Sequence, residues 1–257
     1  MIERSAHRTR PVKPTFPDVV AALYADKPLR IEERSAFMAF DGYERSIHSR
    51  DPAHDDRHLD GIGNDAFEFY RRYGHKTRID WNALLPVVGY HDAAVGALPP
   101  NPLSLFVAQN WEHLIAVKPA GEYMRVHAFP DDLAKRISLL IQTHPLSLND
   151  PRRIRLEKPM DDTFRRTSML FYLLDSMEVF RSRPMRIDDM LRHIQNSFWG
   201  LPLEPFYTII SGYFNRNTQF GMDMPDHPWI REEAQRRMGI AKSYIETLMQ
   251  KKRPVRK

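Results

Sequence analysis

The sequence contains no cysteine, which excludes disulfide bonds, zinc–thiolate sites, iron–sulfur clusters and thiol nucleophiles. A chain without cysteine is typical of a reducing compartment, so we expect a cytoplasmic protein. Long apolar runs are also missing, and no stretch approaches the roughly 18 apolar residues of a membrane helix. The first residues are polar and lack the apolar core of a secretory signal, so we expect no membrane partner.

Several catalytic motifs are absent as well. Neither G-x-G-x-x-G nor G-x-x-x-x-G-K-[ST] occurs, which removes the usual nucleotide-binding loops. There is no G-x-S-x-G, the motif that holds a nucleophilic serine in many hydrolases. The acidic pairs at 131–132 and 161–162 are more typical of helix N-termini than of acid–base catalysis. The sequence therefore predicts a protein without catalytic residues, cofactor or bound metal.

What is present is an ordinary globular composition with a basic excess. The 257 residues are 42% hydrophobic and 28% charged, which suits one large or two small packed domains. The 38 Lys and Arg outnumber the 33 Asp and Glu, for a net charge of +5 and a pI of about 9.4. Such a balance favours nucleic acid, acidic lipid or an acidic protein as partner.

Hydrophobic periodicity predicts an α+β fold that is predominantly α-helical, with a small antiparallel sheet of about three strands. Turn residues separate the three apolar segments in the middle of the chain. The predicted strands are residues 103–108, 113–118 and 122–129, with turns at 110–112 and 119–121.

The chain divides into a mobile basic arm (1–16), a mixed α+β region (17–147) and a helical C-terminal region (148–257). Residues 47–63 are rich in His, Asp, Pro and Gly and are predicted to form a loop, with a helix capped by Asn64 after it. Further helices are predicted to begin at Asp80, Asp131 and Asp161 and to span 187–199 and 203–214. The large apolar residues between 198 and 220 suit the core or a subunit interface.

Residues 231–253 read REEAQRRMGIAKSYIETLMQKKR and resemble the helix-turn-helix of Cro/repressor-type and excisionase-type DNA-binding proteins. The resemblance implies a turn at Gly239 and Ile240 and a recognition helix over 242–250 that enters the major groove. It implies two sets of DNA contacts. The base-facing residues would be Lys242, Ser243, Tyr244 and Glu246, and the phosphate contacts Lys251, Lys252 and Arg253.

The same segment also fits one continuous amphipathic helix. Its apolar residues recur at intervals of three and four, as one helical stripe does. They are Ile230, Ala234, Met238, Ala241, Ile245 and Leu248. Gly239 would cost such a helix only about 1 kcal/mol relative to alanine. The two interpretations differ in the backbone at Gly239 and Ile240.

The order of elements carries a second resemblance. Strands, the segment LSLNDPRRIRLEKP, a helix with paired arginines and a basic terminal helix are similar to the RovC-type transcription activators of proteobacteria. That resemblance implies DNA binding and a homo-oligomer. The paired arginines Arg165 and Arg166 stand in the first turns of a helix, where the dipole disfavours cations, and suit phosphate contacts. The alternative is a solvated face paired with Asp161, Asp162 and Glu157.

Residues 54–60, HDDRHLD, contain five metal-binding side chains in seven positions. His58-Leu59-Asp60 matches the H-x-D half of a facial triad for non-haem iron. The third ligand would come from His91, His113 or His127. A polar surface turn has the same composition.

Tyr90-His91-Asp92 contains the adjacent His-Asp pair of phosphohydrolases, without their other helical histidines.

Taken together, the basic charge and the C-terminal segment favour a non-enzymatic transcriptional regulator that reads duplex DNA through its C-terminal helical element as a homo-oligomer. Two alternatives remain open. One is a protein-interaction scaffold with a basic tail, and the other is a metal-dependent enzyme that uses residues 54–60.

Overall fold

The structure is a computed structural model that describes residues 14–25, 30–46, 56–74, 76–93, 102–144, 149–179 and 227–251, with 146, 191 and 195. Over these residues the regular secondary structure is entirely helical, in nine helices and without a strand. In chain order they are α1 (Phe16–Tyr24), α2 (Arg30–Ser46), α3 (Asp56–Tyr73), α4 (Trp81–Tyr90), α5 (Pro102–Val126), α6 (Asp131–Thr143), α7 (Pro151–Glu157), α8 (Asp162–Val179) and α9 (Pro228–Lys251). None of the described helices is long and apolar enough to span a membrane.

The predicted three-stranded sheet, and with it the α+β fold class, is wrong. Residues 102–126 form the single helix α5, which continues through both predicted turns and contains Pro119. Ala116, Ala120 and Met124 are buried at intervals of four, which is a helical and not a strand period.

The error has a physical cause in the exposed side chains of α5. Three apolar residues of this helix face solvent, although the strand pattern requires them in a core. They are Leu103, Leu114 and Val126. The alternation that suggested strands therefore mixes buried positions with exposed ones.

The loop predicted over 47–63 is wrong from residue 56 onward, because α3 begins there and not at Asn64. Two glycines that suggested a loop lie inside this helix at close contacts. A Cβ on Gly61 would stand 2.3 Å from the Glu178 carboxylate, and one on Gly63 would stand 2.5 Å from the Phe16 ring. Here glycine serves close helix packing and not a turn.

Helix α4 is held at both ends. The Asp80 side chain caps its N-terminus by accepting from the Ala83 amide at 3.2 Å, and the Asp80 amide donates to Thr167 of α8 at 2.9 Å. Near the other end, Ser46 of α2 donates to the Gly89 carbonyl at 3.2 Å. The residues that follow α4 are therefore fixed relative to both α2 and α8.

One buried cluster includes side chains from α1 to α6, α8 and α9. Its members lie on both sides of the boundary predicted at residues 147 and 148, although the division itself stays a prediction. Residues 1–13 of the predicted basic arm lie outside the described residues, as do the predicted helices over 187–199 and 203–214 apart from 191 and 195.

The C-terminal segment is one helix, α9, which passes through Gly239 and Ile240 without a turn. It adopts the continuous-helix alternative, since five residues of the predicted apolar stripe are buried. These are Ile230, Ala234, Met238, Ala241 and Ile245.

Candidate metal centre

Two histidines and two aspartates from three different helical segments converge at one buried point. His58 lies in the first turn of α3, His91 and Asp92 directly follow α4, and Asp175 lies in α8. His58, His91 and Asp92 are 4%, 1% and 2% exposed, whereas the side chain of Asp175 is 22% exposed. Three of the four side chains are therefore closed off from solvent, and Asp175 is partly exposed.

The ligand-type atoms are close together. The His58 Nε2 and His91 Nε2 atoms are 3.2 Å apart, and Asp92 Oδ2 lies 3.3 and 3.2 Å from them. Asp175 Oδ1 lies 3.3 Å from His58 Nε2 and 3.8 Å from His91 Nε2. Among the described residues, His58, His91 and Asp175 form a group whose ligand atoms all lie within 4.8 Å of one another.

These spacings suit a small cation. With ligands about 2.1 Å from a metal ion, neighbouring ligand atoms are about 3.0 Å apart in octahedral and about 3.4 Å apart in tetrahedral geometry. The observed separations of 3.2–3.8 Å lie close to this range. Little rearrangement is needed for one ion to contact both imidazoles and a carboxylate.

The orientation of the His91 ring is set by a backbone carbonyl one helical turn earlier. Its Nδ1 lies 2.9 Å from the Val88 carbonyl oxygen, which can only accept a hydrogen bond. Nδ1 therefore carries a hydrogen, and Nε2 faces the cluster. A carbonyl that fixes the tautomer in this way is a common second partner of metal-binding histidines.

The electrostatics of the cluster favour positive charge. Burial lowers the pKa of His58, but hydrogen bonds and charge from Asp175 and Asp92 outweigh it and raise the pKa to about 10. Burial raises the pKa of Asp175, while the hydrogen bond from His58 and the nearby histidines lower it to a value below the usual range. Without a metal, a proton on His58 supplies the positive charge that the carboxylates require.

His144 and Phe171 form one wall beside His91. Their ring centroids lie 5.3 and 5.2 Å from the His91 ring. Burial and the nearby His91 lower the pKa of His144 to about 4, so this imidazole is neutral at pH 7. Its Nδ1 is 2.8 Å from the Ile141 carbonyl, the same arrangement as His91 with Val88.

The structure uses only part of the motif predicted over 54–60. His58 joins the cluster, whereas Asp60 accepts a hydrogen bond from the Phe16 amide at 2.5 Å. The H-x-D pair therefore does not converge on one site. His54 and Asp55 lie outside the described residues. Of the three histidines considered as further ligands, the structure brings His91 to His58, while the side chain of His127 is exposed.

Sequence reasoning missed Asp175 and undervalued His91 and Asp92. The sequence pattern offers the His-Asp pair no partner histidine on a helix, because it predicts a loop around His58, yet His58 lies on α3. Asp175 carried a signal of its own, because it is the one charged residue in the run MLFYLLDSM over 169–177. A lone acid in an apolar helical run indicates a buried polar contact.

The predicted DNA contacts lie elsewhere. On α9, Ser243 and Glu246 are exposed, and Lys242 and Tyr244 are half-buried. Lys251 ends this helix, and Lys252 and Arg253 lie outside the described residues. DNA binding by these residues stays a prediction.

The paired arginines of α8 have protein partners. Arg166 pairs with Asp162 at 2.9 Å, and Arg165 donates to the Met160 carbonyl. This agrees in part with the alternative of a solvated, paired face. Phosphate contact by the two arginines stays a prediction.

Comparison with known proteins finds no matching family model, no matching curated protein and no matching solved structure. The functional argument therefore depends on the geometry of the cluster alone.

Proposed function

We propose that the protein is a metal-dependent hydrolase whose centre is formed by His58, His91, Asp92 and Asp175. The observation that carries the proposal is that the two Nε2 atoms are 3.2 Å apart and that each carboxylate has an oxygen 3.2–3.8 Å from both of them. This takes up the metal-dependent enzyme among the alternatives that the sequence leaves open, with a different set of ligands.

The ligand chemistry narrows the choice of ion. Two imidazoles with carboxylates and no thiolate suit a first-row divalent metal such as Mn²⁺, Fe²⁺ or Zn²⁺. Mg²⁺ and Ca²⁺ prefer sites made of oxygen ligands alone. We therefore expect Mn²⁺ to bind more tightly than Mg²⁺.

The uneven burial suits catalysis better than a purely structural role. Structural metal sites are closed, whereas catalytic sites keep a position for water or substrate. The partial exposure of Asp175 leaves such a position on its side of the cluster. A divalent ion supplies Lewis acidity and lowers the pKa of a water that it binds.

The substrate class follows from the His-Asp pair. Its resemblance to the adjacent pair of phosphohydrolases supports a phosphate ester as substrate. In that chemistry His91, oriented by the Val88 carbonyl, would help to hold the ion, and the partly exposed Asp175 carboxylate would accept a proton from water.

Metal binding by the full-length protein, purified without a metal-affinity tag, tests the proposal. We expect about one Mn²⁺ per chain by isothermal titration calorimetry, and Mn²⁺-dependent hydrolysis of p-nitrophenyl phosphate or bis-p-nitrophenyl phosphate. His58→Ala and Asp175→Asn should each weaken Mn²⁺ binding by about 100-fold or more, since removing an outer-shell partner already costs 10–100-fold.

His127→Ala is the matched control, because this histidine is exposed and outside the cluster. It should bind Mn²⁺ as the wild type does. A wild-type protein that binds no first-row divalent metal would refute the metal centre. Metal binding without hydrolysis of either ester would refute the phosphohydrolase assignment.

A further inference from the structure

One buried arginine on α9 contacts both α3, which carries His58, and α8, which carries Asp175. Arg237 is 7% exposed, and its Nη1 and Nη2 donate to the two carboxylate oxygens of Asp65 on α3 at 2.6 and 2.8 Å. The same Nη1 lies 3.5 Å from the Met177 carbonyl oxygen of α8. A single guanidinium thus connects α9, α3 and α8.

The positions of these contacts relate directly to the cluster. Asp65 follows His58 by seven residues, which is close to two helical turns, so both side chains lie on the same face of α3. Met177 follows Asp175 by two residues on α8. The separation of α3 and α8 also sets the 3.3 Å distance between His58 Nε2 and Asp175 Oδ1.

The chemistry of the contact suits a fixed spacing. The bidentate pair of a guanidinium with a carboxylate has a planar geometry that a lysine cannot reproduce. Glu233, one turn earlier on α9, accepts from Arg237 Nε at 2.6 Å and so holds the guanidinium from its own helix. Buried ion pairs give little net stability compared with apolar packing, so their geometry is the more informative property.

We propose that Arg237 is a positioning residue for the metal centre, which sets the spacing of α3 and α8 and thereby the distance from His58 to Asp175. The inference rests on the proposed function. It gives α9 a role in a metal site to which it contributes no ligand. The apolar stripe of α9 attaches the helix to the core, and Arg237 determines where the two ligand-bearing helices stand.

Mn²⁺ affinity of the full chain tests the inference, measured by calorimetry for the wild type, Arg237→Met and Arg237→Lys. We expect Arg237→Met to weaken Mn²⁺ binding about 10-fold or more, the lower bound for loss of an outer-shell partner. Arg237→Lys keeps the charge, and its Mn²⁺ affinity should lie between those of the wild type and Arg237→Met. With Co²⁺ as the probe, the visible absorption bands of Arg237→Met should differ from those of the wild type, since they report ligand geometry.

Arg153→Met is the matched control. Arg153 is also a buried arginine, 1% exposed, and it pairs with Glu157 at 2.8 Å and donates to Ser168 at 2.7 Å. It connects α7 to α8, where its guanidinium also lies over the Tyr172 ring, and its hydrogen bonds go to Glu157, Leu146 and Ser168 and not to α3. We expect its folded fraction to bind Mn²⁺ within about twofold of the wild type, because the outer-shell penalty does not apply to it.

Three outcomes would overturn the inference. The first is that folded Arg237→Met has the Mn²⁺ affinity and the Co²⁺ spectrum of the wild type. If the methionine variant does not fold, the same result for folded Arg237→Lys counts instead. The second is equal weakening in Arg153→Met, which would make the effect one of general stability. The third is a wild type that binds no metal, and this result alone would also refute the proposed function.

Discussion

A methyl group added to Gly89 should separate α4 from α2. A Cβ at Gly89 would stand 2.3 Å from the Ala39 carbonyl oxygen and 3.1 Å from two further backbone atoms of Ala39. An ordinary carbon–oxygen contact is about 3.3 Å or longer, so the helices must move apart by about 1 Å. The obstacle is backbone, which cannot rotate away as a side chain could.

The cost can be estimated from the two opposing effects of Gly89→Ala. Overpacking a core costs about 1–3 kcal/mol, and a backbone obstacle places this site near the upper end. The higher helix propensity of alanine relative to glycine stabilises the folded state by about 1 kcal/mol. We therefore expect the free energy of unfolding to fall by about 2 kcal/mol, the difference of these terms.

Urea unfolding followed by circular dichroism measures this change in the metal-free protein. Gly121→Ala is the control, since a Cβ there meets nothing within 4 Å, and it should raise stability by about 0.5–1 kcal/mol. His91 lies two residues after Gly89, so Gly89→Ala should also weaken Mn²⁺ binding. A Gly89→Ala variant as stable as the wild type would refute the close approach of α2 and α4.

Three further predictions concern backbone conformation and pH. Gly239→Ala should raise the free energy of unfolding by about 1 kcal/mol, because Gly239 is helical with open space at its Cβ, whereas a turn there would make the same substitution destabilising. Ala128→Gly should stabilise by about 1 kcal/mol in the same urea assay, since Ala128 has a φ of 50°, and a lower stability would refute that conformation. In the metal-free protein the pKa of His58 is raised from 6.5 to about 10, so its contribution is complete below pH 6.5 and is lost as the pH rises through 10. The melting temperature of the EDTA-treated wild type should therefore fall more steeply from pH 7 to 10 than that of His58→Ala, and parallel curves would contradict the charge on His58.

Helix starts marked by an aspartate were predictable from the sequence. The helices expected to begin at Asp131 and Asp161 are confirmed as α6 and α8. Asp161 caps α8 by accepting from the Phe164 amide at 2.7 Å, whereas Asp131 lies in the first turn of α6 after Pro130, where no side chain caps the helix. The start at Asp80 is confirmed as α4, although this helix continues past Pro86 to Tyr90. Capping is a local interaction, and a local pattern is enough to predict it.

Features that depend on distant neighbours were not predictable. The exposed apolar side chains of α5 gave a pattern that predicts strands. The glycines of α3, which lie against other helices, gave a composition that predicts a loop. The His–Asp cluster shows the same limit, because His58 and Asp175 are 117 positions apart in the chain and meet only in the packed fold. A single sequence shows each residue but not which ones come together.

The contact between Arg237 and Asp65 has a consequence for how the protein forms during synthesis. The two residues are 172 positions apart in the chain, and Asp65 emerges from the ribosome long before its partner exists. At 5–20 residues per second the delay is roughly 9–34 s. During that interval α3 lacks the arginine that pairs with Asp65 in the finished fold. The centre would therefore reach its final spacing only after α9 is made, and translation products that stop before residue 237 should load metal poorly.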